Sequence, residues 1–418
     1  MRLSSIRTAV LASVMVFVLP VVASAGTGSG QRDRSFGDRG LATTTFDVKA
    51  LSDDLLRTSD GGILAVGFVD NRFGLAKFTR NGALDRTFGG GDGMAVRAGP
   101  DAVADYAVIA AAEDAKGRIV LVADRSGAGR IVVGRLLADG RRDDTFGWRG
   151  FIDIVTDSFV QDVIVDPDGA VEILGQNSIG YTVWKVAPDG HTDTDFGDLG
   201  TVFVPRPAPL ERWVSGSRME IDRFGRLVVL AAGIYQNPDS HHPVPRPFVF
   251  RITGEGAFDP TFGDGGYTIA KRPYGGFSPV GMVLLGDGSV VASGVPSGYG
   301  IALIRFAPSG AVDTTFGDHG AAIHRKNSYL VPTDLESGPG GTLVASVTSD
   351  EGSRVVRVFA ADGALDTGFG QGGYGVRQDR SFGQVAVIVQ SGGAVVSLGQ
   401  AHVETARQRQ FALVRSTP

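Results

Sequence analysis

Asp313-Thr-Thr-Phe316-Gly317-Asp-His-Gly320 is one copy of a signature, Asp-x-x-Phe-Gly-x-x-Gly, that recurs seven times. The other copies begin Asp33-Arg-Ser-Phe36, Asp85-Arg-Thr-Phe88, Asp143-Asp-Thr-Phe146, Asp193-Thr-Asp-Phe196, Asp259-Pro-Thr-Phe262 and Asp366-Thr-Gly-Phe369, with one extra residue after Phe88. Successive aspartates are 52, 58, 50, 66, 54 and 53 residues apart, and from Asp366 to the end is another unit length. Such a period marks a repeat architecture and has to be read before any single residue.

Within each unit the apolar runs are short and rich in Val, Ile and Leu, as in Met282-Val-Leu-Leu285, Val290-Val-Ala292 and Ile301-Ala-Leu-Ile304. Gly-Asp-Gly or Pro-Ser-Gly separates them, so they read as strands. Two hairpin turns recur in most units: one inside, as at Asp168-Gly169 and Asp287-Gly288, and one before the signature, as at Asn81-Gly82, Asp139-Gly140 and Asp362-Gly363. Four short antiparallel strands per unit, seven times over, predict an all-β, seven-bladed β-propeller of four-stranded blades. The propeller is expected over 33–418, with repeats starting near 33, 85, 143, 193, 259, 313 and 366.

The signature has a structural explanation. Its Asp and the following Ser or Thr bond amides in the turn, its Phe plugs the gap between blades, and its glycines allow positive φ or close approach. Lys77, Arg135, Lys185, Arg251 and Arg305 lie eight residues before a signature aspartate, and Arg357 lies nine before Asp366. That spacing predicts cross-strand ion pairs. Arg415 has no aspartate after it, so its expected partner is Asp33, which would join the two ends of the chain into a ring. The competing reading makes the seven cations an anion-binding ring around the channel.

The repeat resembles the bacterial delta-60 repeat family, a β-propeller family of unknown function with a Leu-Asp-x-x-Phe-Gly-x-x-Gly core. Leu84-Asp85 and Leu365-Asp366 keep even the leucine. Asp195, Gly368 and the longer Phe88-Gly-Gly-Gly-Asp-Gly93 depart from the pattern. The resemblance implies a propeller and export, and brings no catalytic residue with it.

The chain has 418 residues, with 43% hydrophobic and 20% charged, which suits a globular protein with a large core. Arg2 and Arg7, the apolar stretch Ala9–Val22 and Ala23-Ser-Ala25 form a signal peptide over 1–25, with 26–32 read as a short linker. The expected destination is therefore the periplasm or the exterior. There is no cysteine, so no disulfide supports the fold. Cleavage removes two arginines and no acid, taking the formal charge from −5 to −7, which disfavours nucleic acid as a partner. No later run is long and apolar enough for a membrane span.

No nucleophile-elbow, phosphate-loop or zinc-protease motif stands in a credible context, so no catalytic residue and no metal ligand is assigned. Calcium is the one cofactor to weigh. An oxygen cage needs about six to eight ligands, and the Asp-Gly pairs lie on separate hairpins, so no cofactor is expected. The longest unit carries Pro205-Arg-Pro-Ala-Pro-Leu-Glu-Arg212-Trp213 and an irregular segment from Tyr235 through His241 and His242 to Arg246. Arg212, Trp213, Tyr235, His241 and His242 are the candidate ligand contacts, because long loops on a rigid ring carry specificity. Trp213 fits blade packing as well, and Trp184, inside a strand, more so. The expectation is an exported, non-catalytic binding or scaffold propeller contacting a protein or glycan. The alternative is an exported polysaccharide lyase or glycosidase, whose acids and bases would converge in the central funnel with shifted pKa values.

Overall fold

The computed structural model describes residues 28–418 except 45, 47, 49, 71, 98, 100–105, 126–128, 209, 236–243, 271–275, 326–329, 379–381 and 404–407, and except the side chains of 106–109, 214–216, 401–403, 408 and 409. Seven antiparallel sheets form the seven blades expected. In blade 1 the strands run Ala50–Arg57, Ile63–Val69, Arg72–Phe78 and Met94–Arg97 in spatial as well as chain order. The first strand of each blade packs against the first strand of the next, and that of blade 7, Gly383–Val389, against that of blade 1. These seven strands therefore ring the axis. Each carries a bulge at the same place, as between Ser52 and Asp54 or Pro332 and Asp334. A bulge adds local twist, which helps the blades splay outward from the axis.

Blade 7 is built from both ends of the chain. Its outermost strand, Leu41–Thr43, pairs with Gln408–Ser416 in the register Leu41↔Val414, Ala42↔Leu413, Thr43↔Ala412. Residues 28–32, read above as linker, belong to this edge too. The Gly30 amide donates to the Thr417 carbonyl at 3.0 Å, and the Thr417 amide to that of Gln31 at 2.7 Å. Blade 6 departs from four regular strands. Three are continuous, and an irregular stretch holds the fourth place through a Val356↔Tyr374 bridge.

The signature phenylalanines are all buried, between 0% and 2% exposed. A backbone bond made by the glycine after each one joins neighbouring blades. Gly37 donates to Asn81, Gly89 to Asp139, Gly147 to Asp189, Gly197 to Glu255, Gly263 to Ser309 and Gly317 to Asp362. The seventh bond runs from Gly370 to Ser29, at the opposite end of the chain. The glycine after each acceptor sits at positive φ directly on the preceding blade. A Cβ on Gly82 would meet Phe36 at 2.8 Å, and one on Gly30 would meet the Gly370 amide at 2.8 Å.

The two oxygens of the signature carboxylate divide their work. In Asp143, Oδ1 accepts the Thr145 hydroxyl and amide while Oδ2 receives Arg135 at 2.8 Å. Arg251–Asp259, Arg305–Asp313 and Arg415–Asp33 repeat the arrangement, and Arg357–Asp366 repeats it with the Gly368 amide alone on Oδ1. Most of these guanidiniums also reach the next blade, as Arg135 does to the Pro188 carbonyl and Arg415 to that of Arg80. Each also lies over its signature ring, Arg357 at 4.3 Å from the Phe369 centroid. Blades 1 and 3, which carry lysine, differ. Lys77 is 3.7 Å from Asp85 and closer, at 2.5 Å, to Asp60. Lys185 bonds Asp166 and Glu172, both at 2.9 Å, and among the described residues no cation lies on Asp193. Glu172 stands where other blades place Leu64, Val120 or Val228 opposite the cation, and it draws the lysine away.

Removing one partner of such a buried pair leaves an uncompensated charge, at a cost of about 3 kcal/mol or more. Arg415→Ala should therefore lower the denaturation midpoint about as much as Arg251→Ala does in mid-chain, measured by chemical denaturation. A neutral Arg415→Ala would contradict the closure of the ring by this pair.

Candidate functional site

Two places gather chemistry: the channel wall and the junction of blades 2 and 3. The residue just after the inner-strand bulge is Asp54, Ala110, Asp162, Arg218, Gly281, Asp334 and Ala386 in blades 1 to 7. Three aspartates and an arginine thus face one another around the axis, near mid-depth. Each aspartate receives its own next amide on Oδ1 and an amide of the following blade on Oδ2. The donors to Oδ2 are Ala111 to Asp54, Met219 to Asp162 and Val387 to Asp334, at 2.8 to 2.9 Å. The three carboxylates are stitches between inner strands. Two positions further along, Glu220 accepts the Leu284 amide in the same way at 3.2 Å, whereas among the described residues Glu336 has no bond of this kind.

Ringed by protein, these groups resist ionisation. Burial raises Asp162 and Asp334 to about 6, against the favourable charge of Arg218. Burial and the charge of Asp162 raise Glu220 to about 7. Burial, then the charges of Asp334 and Glu220, push Glu336 up to about 8. The folded protein thus holds protons that the unfolded chain releases above about pH 4.3. That contribution to stability is fully present at acid pH and is lost as pH rises toward 8.

The outer junction is different in kind. A groove of about 760 Å³ lies between blades 2 and 3, lined by Trp148, Ile152, Ile154, Trp184, His191 and Leu199 among others. Trp148 is 67% exposed and Leu199 72%. Both occupy the two variable positions of the signature turn. Trp148 stands where Asp38, Asp198, Asp264 and Asp318 stand in other copies, and its backbone serves the turn, the amide donating to the Phe151 carbonyl at 2.8 Å and the carbonyl accepting the Phe151 amide at 3.2 Å. Leu199 sits at φ 49°, a conformation uncommon for leucine. Of the ten large apolar side chains that are exposed among the described residues, six fall between Trp148 and Phe203 in sequence; Trp148 and Leu199 lie at this groove, and Val155, Phe159 and Ile179 lie at the opposite ends of the strands. A second groove, about 530 Å³, lies between blades 3 and 4 beside Asp166, Asp168, Phe224 and Glu255.

Of the described residues expected in the fourth unit, Trp213 and Tyr235 share one apolar cluster, and Arg212 faces away from it. Arg212 and Trp213 are neighbours on one strand and point to opposite sides. Arg212 is exposed, while Trp213 is only 8% exposed, edge-on to Tyr181 at 4.6 Å and beside Phe248 at 5.5 Å. Trp213 is thus a packing residue, because blade 4 must fill its contact with Tyr181 of blade 3. Tyr235 is half-buried with the Arg246 guanidinium 5.8 Å from its ring centroid. His241 and His242 lie outside the described residues. The signal that was missed was Trp148, a tryptophan at a turn position that elsewhere takes aspartate.

The model of a family described as a domain of unknown function (DUF5122) beta-propeller matches residues 58–88 and 285–316, corresponding stretches of blades 1 and 5 that each end at a signature phenylalanine. This match supports a propeller family of unknown function. No curated protein matches the chain. Among solved structures, the chain is similar to the polysaccharide lyase Uly1, at 11% identity over 93% of this chain and 96% of that one, with a TM-score of 0.53. It is also similar to XC5397 from Xanthomonas campestris, a gluconolactonase, at 13% identity over 90% and 99% of the two chains, with a TM-score of 0.41. At such identities the likeness is one of fold, and a fold of this kind hosts unrelated activities.

The channel acids give a pH prediction. Glu336→Gln should raise the melting temperature at pH 9 clearly more than at pH 5, and flatten the decline between them. A substitution that lowers stability equally at both values would contradict a largely protonated Glu336 at neutral pH.

Proposed function

We propose that this protein is an exported, non-catalytic binding propeller whose partner docks on the rim of blades 2 and 3. The observation that supports this reading is a pair of strongly exposed apolar side chains, Trp148 at 67% and Leu199 at 72%, brought together from two signature turns at the edge of one groove. Soluble monomers seldom group such residues without a partner to cover them. The remainder of the ring is explained by the repeat itself, since signature residues and inner-strand carboxylates serve to hold blades together. Export rests on the leader-like 1–25 segment. No helix among the described residues is long and apolar enough to cross a membrane.

A second reading has one observation in its favour. Glu220 and Glu336 are channel carboxyls with raised pKa values, the property expected of an acid and base pair in a carbohydrate-active enzyme. It ranks second because the neighbouring acids are tied to backbone amides and both grooves described above lie outside the channel.

A screen of the mature chain against cell-envelope proteins and glycans separates the two. The expected result is a ligand whose binding falls at least about tenfold with Leu199→Ser and is unchanged when residues 236–243 are replaced by a short glycine linker. Turnover of a polysaccharide that is abolished by Glu336→Gln would replace this reading with the enzymatic one.

A further inference from the structure

We infer that the groove between blades 2 and 3 binds a neutral glycan chain of pyranose rings with equatorial hydroxyls, stacked on Trp148 and Trp184. The inference rests on the rim as binding surface and adds its occupant. The chain has three tryptophans. Trp213 is buried, and both of the others line this one groove. Neither is required by the repeat at its position. Trp148 replaces the aspartate of other turns, and Trp184 stands where Ala76, Phe250 and Ile304 are wholly buried in their blades. Trp184 is accommodated because Gly175 lies beneath it, where a Cβ would come within 2.5 Å of the ring.

Flat aromatic faces suit the axial C–H face of an all-equatorial sugar, and the polar rim suits its hydroxyls. Thr192 and Thr201 line the same groove. Its charges are already matched. Asp153 faces Arg130 at 3.3 Å, Lys185 is held by Asp166 and Glu172, and His191 lies 3.2 Å from Asp189. Arg149 lies against one face of Trp148, 5.0 Å from its ring centroid, and leaves the other face to a sugar; no unmatched cation is among the residues that line the groove itself, so the geometry favours uncharged sugars.

The test uses the mature full chain with cellohexaose, chitohexaose and polygalacturonate as probes, read by calorimetry and by protection of tryptophan fluorescence from acrylamide. A neutral hexasaccharide should bind and protect. Trp148→Ala should weaken it about tenfold with the melting temperature unchanged, and Trp184→Phe, which keeps an aromatic ring in the blade, should weaken it less. Polygalacturonate binding as well as or better than the neutral chains overturns the charge argument. A captured protein lost with Trp148→Ala, with no glycan bound, overturns the inference and leaves the rim reading standing. Glycan binding indifferent to both tryptophans and to Leu199→Ser overturns both.

Discussion

Everything in this molecule depends on how one blade is fastened to the next. A blade alone is a small twisted sheet with two apolar faces, and it is stable only when both are covered. The fastening is a short run of backbone: the signature phenylalanine fills the gap, and the glycine after it donates to a turn of the following blade. That turn carries glycine because a Cβ would collide with the phenylalanine or with the donor amide. The frequent Asp-Gly and Asn-Gly pairs are therefore half of an interblade joint as well as hairpin formers.

The charged groups follow from this joint. In four of the five arginine blades the forked head serves the signature aspartate, the next blade's carbonyl and the phenylalanine ring together. Lysine offers a point charge, and in blades 1 and 3 it settles on the acid of the turn joining the first two strands. Burial disfavours ionisation of Asp259, and the Thr261 bonds and the Arg251 charge more than offset it, bringing the group down to about 2. On the channel side the balance reverses, because Arg218 is the cation near three aspartates and burial prevails. The same residue type thus serves as an ionised clasp at one end of the blade and a reluctant acid along the axis.

The architecture was legible because it is written seven times. Copy number, strand number and the pairing of Arg415 with Asp33 all follow from spacing, since a ring needs a partner for its last cation. Lys185 was misplaced because the competing acid, Glu172, comes from an adjacent strand and has no counterpart in the pattern. The fourth-unit site was drawn from residue types and loop length, but alternation along a strand sends Arg212 out and Trp213 in, and blade 3 decides what Trp213 meets. The channel acids were invisible as a group, being single residues from separate blades aligned only by the bulge. Trp148 was readable in principle as an aromatic residue in a turn position that otherwise takes aspartate.

The closure of the ring can be tested against a clean background, because the chain contains no cysteine. Leu41 and Val414 face each other across the outer strands of blade 7, at a spacing that a disulfide can bridge. In the Leu41→Cys, Val414→Cys double variant, mass spectrometry of the non-reduced monomer should find the two thiols joined, with a higher melting temperature than after reduction. Free thiols under oxidising conditions, or links formed only between molecules, would contradict a ring fastened by its two ends.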